Sequence, residues 1–311
     1  MRGTIIRNTG SWYVVRTDNG QLFDCKVKGN FRLRGIRSTN PVAVGDVVEI
    51  APGPDGKTAL ISSIEDRRNY IIRKASNLSK QSHIIAANID LAVLIVTLVH
   101  PETSTVFVDR FLASAEAYRV PVLLLFNKVD LLDEEGKRLL DSYISLYEGL
   151  HYQCLTCSAK QNVGMESVCR ALQGKVSLLS GNSGVGKSTL LNRLVPEASA
   201  RTADLSEAHD KGMHTTTFSE MFDLPFGGAV IDTPGIKGFG TFDMERTEVP
   251  HYFREIYRIG QDCRFADCTH TGEPGCAVLP AVEEHRIAQS RYASYLSMLE
   301  DKEESKYRQG Y

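Results

Sequence analysis

The sequence predicts a multi-domain α/β chain: a small N-terminal β-barrel, a mainly parallel α/β domain, and a C-terminal helical segment around a metal-ligating cluster. Three observations predict it. Five short strand-like runs are crowded before residue 66, and continuous apolar runs alternate with helical stretches from residue 90 onward. Past Phe242 the apolar strands stop, and cysteines and a histidine cluster instead.

The barrel comes first. Residues 5–6, 12–15 and 22–27 read as strands, and Asp18-Asn19-Gly20 between two of them is a hairpin signal, because Asn and Gly tolerate positive φ. A fourth strand follows Gly45-Asp46 and a fifth spans 59–64. Five short strands suggest an OB-fold; an SH3-like barrel would leave a similar pattern. Residues 66–70 read as a linker, with a polar stretch over 73–82 behind it.

The α/β domain comes next. Residues 91–96 are apolar throughout, as in a strand buried on both faces, and similar runs recur at 120–126, 176–179 and 229–231. Helical patterns cover 108–118 and 134–148, and a last one is expected over 281–302. The expected domains are 1–68, 69–240 and 241–311.

Composition bounds the function. The chain has 311 residues, 42% apolar and 24% charged, which suits two or three soluble domains. No apolar run reaches the ~18 residues of a membrane span, the longest being 91–99. The start, Met-Arg-Gly followed by alternation, does not read as a signal peptide. Seven cysteines, an odd number spread over a large chain, argue against a disulfide framework and for a reducing cytoplasm. Nothing suggests an oligomer, so a monomer is expected. The net charge of −2 hides a gradient: residues 1–74 carry 13 Lys/Arg against 7 Asp/Glu, and the remainder is acidic. That asymmetry suggests an anionic partner for the first segment, although a small basic domain can simply be soluble.

Gly181-Asn182-Ser183-Gly184-Val185-Gly186-Lys187-Ser188 fits the P-loop pattern, after a strand-like run and before a helix-like one beginning at Thr189. Its glycines let successive N–H groups face phosphates; Lys187 reaches the β- and γ-phosphates and Ser188 ligates Mg²⁺. Asp232-Thr233-Pro234-Gly235 follows the strand at 229–231, so Asp232 suits a Mg²⁺-bound water and the Gly235 N–H suits the γ-phosphate. Between them lies Gly212-Met213-His214-Thr215-Thr216-Thr217, where Thr215 or Thr216 would offer a hydroxyl to Mg²⁺.

Asn127-Lys128-Val129-Asp130 directly follows another buried strand. The Asp130 carboxylate would accept from the guanine N1–H and exocyclic amine, a donor pair that adenine lacks. Ser158-Ala159-Lys160 fits the companion loop whose backbone N–H contacts guanine O6. Together these motifs specify GTP. Their order is rotated: the base motifs precede the phosphate motifs, which is a circular permutation. The second switch therefore leads straight into the C-terminal segment.

Cys263, Cys268, His270 and Cys276 form C-x4-C-x-H-x5-C, a closed set suited to one structural zinc ion. Three free thiols beside a loop histidine are the alternative, disfavoured by such density. Cys154 and Cys157, though spaced C-x-x-C, read as strand residues that pack, and Cys25 and Cys169 as ordinary buried or half-buried positions.

Rotated GTPase motifs between a β-barrel and this Cys/His cluster make the chain resemble the RsgA (YjeQ) family, ribosome-maturation GTPases dependent on the small subunit. The resemblance spans essentially the whole chain. It implies an OB-fold that binds ribosomal RNA, a permuted GTPase core and a zinc-binding C-terminal domain. It also implies GTP hydrolysis stimulated by the small (30S) subunit during late assembly. Gly212 to Thr217 is similar to the family's Gly-x-His-Thr-Thr-Thr loop. Ile236 stands where many GTPases have a water-orienting glutamine, so His214 is the family's candidate for placing water; a solvated loop histidine is the other reading. Lys26, Lys28, Arg32, Arg34 and Arg37, with Phe31, would track and stack on RNA, or else form a solvated strand face. A GTP-gated RNA-binding module in which hydrolysis is incidental is the rival from another class, and Asn127 and Asp130 disfavour an ATPase.

Overall fold

The computed structural model describes residues 1–10, 12–27, 42–74, 82–196, 219–233 and 244–307. Its first five strands are β1 (Arg2–Asn8), β2 (Tyr13–Thr17), β3 (Leu22–Val27), β4 (Val47–Pro52) and β5 (Thr58–Ile64). Alternation drives them: along β3 only Phe23 and Cys25 are buried, along β4 only Val48 and Ile50. These side chains meet Ile5, Val15 and Ile61 in one core. Strand β1 pairs with both β2 and β4, β2 with β3, β3 with β5 in parallel, and β5 with β4. The ring closes in the order 1-2-3-5-4, the five-stranded barrel expected as an OB-fold. The Asp18-Asn19-Gly20 turn behaves as predicted, with Gly20 at φ 83° and its N–H bonded to Thr17 O at 2.8 Å.

The linker is more ordered than its composition suggests. Strands β6 (Tyr70–Lys74) and β7 (Ser82–Ala87) form an antiparallel ladder of their own. Arg67 is no solvated linker residue: its guanidinium grips the carboxylate of fully buried Asp46 through two 2.7 Å bonds. The expected polar stretch therefore holds strand ends, because pairing across the ladder outweighs local polarity.

The α/β domain contains β8 (Leu91–Val96), β9 (Val122–Phe126), β10 (Gln153–Thr156), β11 (Val176–Ser180), β12 (Glu220–Asp223) and β13 (Ala229–Asp232). Spatially they run β10-β9-β8-β11-β13-β12, all parallel except β12. Every residue of β8 and β9 is buried, as their continuous apolar runs predict. Helices α1 (Thr105–Ala117), α2 (Glu134–Gly149), α3 (Met165–Leu172) and α4 (Lys187–Leu194) connect them. Strand β12 also meets β1 of the barrel, with Arg7 opposite Glu220 and Asn8 N–H bonded to Ser219 O at 3.2 Å. One sheet therefore runs through both domains.

The C-terminal part holds α5 (Arg254–Gly260), α6 (Val278–Glu283) and α7 (Gln289–Tyr307). The single helix expected over 281–302 is thus two. His285 at φ 58° stops the first, and the Arg286 and Ile287 N–H groups turn back to Ala281 O while Ile287 is buried. Helix α7 packs on α1 through a buried ion cluster. Arg291 donates to both oxygens of Glu255 at 2.7 and 3.1 Å and to Asp109 at 2.7 Å, and Tyr147 donates to Asp109 at 3.0 Å. Nearby, Arg254 pairs with Glu116 at 2.6 Å and lies 3.9 Å over the Tyr152 ring.

Candidate nucleotide site and metal centre

All the described motifs sit where parallel strands end. Residues 127–130 follow β9, 158–160 follow β10, 181–188 follow β11, and Asp232 closes β13. The C-terminal edge of an open parallel sheet is where such folds place ligands.

The turn after β11 curls because its glycines take conformations that side chains resist: Gly181, Gly184 and Gly186 have φ of 147°, 85° and 98°. Gly186 also lies against the base motif. A Cβ there would stand 2.5 Å from Asn127 Nδ2, so only glycine permits the approach. Helix α4 then starts at Lys187, with Ser188 and Thr189 exposed in its first turn. The Lys187 ammonium folds back on the turn, donating to Gly181 O at 2.7 Å and Asn182 O at 2.8 Å. Burial lowers its pKa, partly offset by Asp232. Asp232 shifts the other way: burial raises it, opposed by the Lys187 charge and the Thr233 N–H. Ser183 is exposed on the same turn and Val185 is buried beneath it. A curled turn with an ammonium and a carboxylate at its base has the donor set for a Mg²⁺-triphosphate.

Asn127 ties the phosphate turn to the base loop. Its amide donates to Val185 O at 2.9 Å, and its carbonyl accepts from Ala159 N–H at 3.0 Å and from the Cys157 thiol at 3.3 Å. Lys128, in the left-handed region at φ 63°, donates to Gly184 O at 2.7 Å and to His100 O. Asp130 lies exposed in the short 3₁₀ turn Val129–Leu131, which leaves its carboxylate available to a base. Ser158 is buried, accepts from Gln161 N–H at 3.1 Å and pairs with Val163 through two backbone bonds, closing the loop that exposes Lys160.

One side chain here was not singled out from the sequence. Arg193, in the last turn of α4, donates through Nε to Ala159 O at 3.1 Å and through Nη2 to Lys160 O at 3.2 Å. An arginine at the end of a helix reads as a surface charge, and no spacing rule finds its partner.

His214, Thr215, Thr216 and the rest of 212–217 lie outside the described residues, as do Pro234, Gly235 and Ile236, and likewise Lys28, Phe31, Arg32, Arg34 and Arg37. Lys26 is described, with its ammonium 4.3 Å over the Trp12 ring.

Cys263, Cys268, His270 and Cys276 converge, their ligand atoms all within 4.8 Å of one another. His270 Nδ1 stands 3.5 Å from Cys263 Sγ and 3.6 Å from Cys276 Sγ. Tetrahedral Zn–S and Zn–N bonds of about 2.0–2.3 Å imply ligand separations of roughly 3.5 Å, so the set fits zinc. Burial lowers the pKa of His270 and so favours the neutral ring a metal needs. Burial pushes the Cys268 thiol up to about 12, so a thiolate there calls for a cation beside it. The loop is held from behind. Glu273 accepts from the N–H groups of Thr269, Thr271 and Gly272 at 2.7–3.1 Å, and the Tyr292 hydroxyl donates to His270 O at 2.7 Å. Cys154 and Cys157 pack instead into two separate cores on either side of the sheet.

Comparison with known proteins agrees over the whole chain. Residues 2–61 match the RsgA N-terminal domain and residues 64–242 the RsgA GTPase family. The chain is 62% identical to the small ribosomal subunit biogenesis GTPase RsgA of Phocaeicola vulgatus and 64% identical to that of Bacteroides fragilis, each over 311 residues and 100% of both chains. Its fold is similar to the crystal structure of YjeQ from Thermotoga maritima, with TM-score 0.75, 35% identity, and 96% and 97% of the two chains covered. It is also similar to YloQ, a circularly permuted GTPase, with TM-score 0.73, 28% identity, and 98% and 95% covered. The chain belongs to the RsgA GTPase family.

Proposed function

We propose that this protein hydrolyses GTP while bound to the small (30S) ribosomal subunit during late assembly, and that the subunit stimulates the reaction. The observation that carries the nucleotide reading is Asn127, which hydrogen-bonds the phosphate turn and the base loop at once. The relatives that match at 62% and 64% identity bear the name of small ribosomal subunit biogenesis GTPases, which supports the partner.

Residue roles follow from chemistry. Backbone N–H groups of 181–186 cradle the phosphates, Lys187 bonds the β- and γ-phosphates, and Thr189 extends the first turn behind them. Ser188, with Thr215 or Thr216 and Asp232 through a water, would hold Mg²⁺, which would neutralise charge on the phosphate oxygens. The Gly235 N–H meets the γ-phosphate. His214 takes the part of placing the attacking water, in the place of the glutamine that Ile236 replaces. Asn127 and Lys128 fix the base pocket, Asp130 reads the guanine edge, and the loop at Ser158, Ala159 and Lys160 offers an N–H to O6. Cys263, Cys268, His270 and Cys276 hold one structural zinc.

The barrel, with the basic segment from Lys26 to Arg37, contacts ribosomal RNA. We assign residues 1–68 to this RNA-binding domain, 69–240 to the permuted GTPase and 241–311 to the zinc domain. We assign the protein to the cytoplasm, where ribosomal subunits mature, and expect it to act as a monomer; no helix among the described residues is long and apolar enough to cross a membrane.

The test is GTP turnover with and without purified small subunits at near-physiological salt. Strong stimulation by the small subunit alone is the expected result. Negligible turnover with every ribosomal particle would instead favour a GTP-gated RNA-binding module, the reading to which the missing glutamine points.

A further inference from the structure

We propose that Arg193 is a specificity-determining positioning residue: from the phosphate-side helix it aims the base loop's N–H at the 6-oxygen of guanine. The proposal rests on reading residues 158–160 as the base loop. Its geometry is a two-pronged clamp, Nε on Ala159 O at 3.1 Å and Nη2 on Lys160 O at 3.2 Å. A planar guanidinium presents parallel donors at fixed spacing, which suits two successive carbonyls and which lysine cannot reproduce.

The consequence for the loop follows from peptide planarity. In a trans peptide the N–H points opposite to the C=O. Drawing Ala159 O toward Arg193 therefore turns the Lys160 N–H away from α4. The Gln161 N–H, in the next peptide unit, is already committed to Ser158 Oγ at 3.1 Å. Ala159 is fixed on its other side too, by its own N–H on Asn127 Oδ1 at 3.0 Å. Asn127 and Arg193 thus hold one peptide segment from two directions, and each is tied to the phosphate turn: Asn127 through Val185 O at 2.9 Å, Arg193 through its helix, which begins at Lys187. A positive charge on the carbonyl side also polarises the peptide and strengthens its N–H as a donor. A fixed donor of this kind rewards the 6-oxygen of guanine and meets the 6-amino group of adenine as donor against donor.

The experiment compares equilibrium binding of GTP and of 2-aminopurine riboside 5′-triphosphate, which keeps the 2-amino group but lacks the 6-oxygen and, with it, the N1–H. The loss at Asp130 is common to all three proteins, so the change in preference between them reports the 6-oxygen contact. The full-length wild type, Arg193→Met and Arg193→Lys are each titrated with both. Wild type should prefer GTP. Arg193→Met should bind GTP about tenfold more weakly, the loss of roughly one well-placed hydrogen bond, and the 6-deoxy nucleotide almost as before. Arg193→Lys should recover part of the preference. Unchanged preference in Arg193→Met, or equal weakening toward both nucleotides, would overturn the proposal, since a merely structural role moves both together. A wild type that does not prefer GTP would sink the base-loop reading beneath it.

Discussion

Arg291 and Asp109 meet at 2.7 Å with both side chains almost wholly buried, at 1% and 0% exposure, although 182 residues separate them in sequence. With Glu255 and Tyr147 they fasten the C-terminal helices to α1 of the GTPase core. Removing one member of a buried ion cluster leaves the others charged and unpaired, which costs far more than losing an exposed pair. Arg291→Ala is therefore expected to lower stability by about 3–5 kcal/mol in urea denaturation. Arg286→Ala, which loses only the exposed contact with Glu284, should cost less than about 1 kcal/mol. Similar losses in the two variants would count against the cluster as a domain fastener.

Base specificity should reside in Asp130. Replacing its carboxylate by an amide exchanges an acceptor for a donor toward the guanine amine. Asp130→Asn should weaken GTP binding by about 100-fold, in line with the loss of hydrogen bonds to a charged group, and admit xanthosine triphosphate. Competition binding with the two nucleotides checks both halves.

The half-buried Lys187 and Asp232, each within the other's electrostatic influence, set an acid limb. Burial raises the Asp232 pKa, so its carboxylate protonates at a higher pH than an exposed aspartate. A raised carboxyl contributes most to stability when protonated, below its unfolded pKa, and that contribution is lost as pH rises through the folded value. In the roles proposed above, the charged form would serve Mg²⁺ rather than folding. Mg²⁺-dependent GTP affinity should fall as pH drops toward the raised value, and Asp232→Asn should flatten that dependence. Lys187→Ala should abolish turnover at every pH.

Metal removal should release the Cys/His loop. One zinc per chain is expected by elemental analysis, and strong chelation should expose 260–277 to protease. Glu273→Gln weakens the bonds to Thr269, Thr271 and Gly272 that hold the loop on either side of His270, and should speed zinc loss to a colorimetric chelator, with the metal content at rest unchanged. A chelated protein that keeps its protease resistance would argue against a structural metal.

Much of this was legible in the chain because phosphate, guanine and zinc chemistry each demand particular residues at short spacings. The phosphate turn, Asn127 to Asp130 and the four metal ligands are such local demands. Buried strands β8 and β9 were equally plain, being apolar at every position. What sequence could not show depends on partners far along the chain. Arg193 and Arg291 look like helix-surface charges until Ala159 and Asp109 are brought to them, and Arg67 looks like linker until Asp46 is buried beneath it. The break at His285 follows from the burial of Ile287, which no helical periodicity announces.

The strand order has a consequence for synthesis. Strand β8 has β9 on one side and β11 on the other, and β11 begins at Val176, far behind β8 in the chain. As the polypeptide leaves the ribosome, the base-reading half can assemble first while one flank of β8 stays bare. Strand β1, the first to emerge, likewise waits for Glu220 before its contact with β12 forms. Rotating the motifs has thus made the phosphate half of the site arrive after the base half, so nascent chains cut short before it should be unable to bind nucleotide.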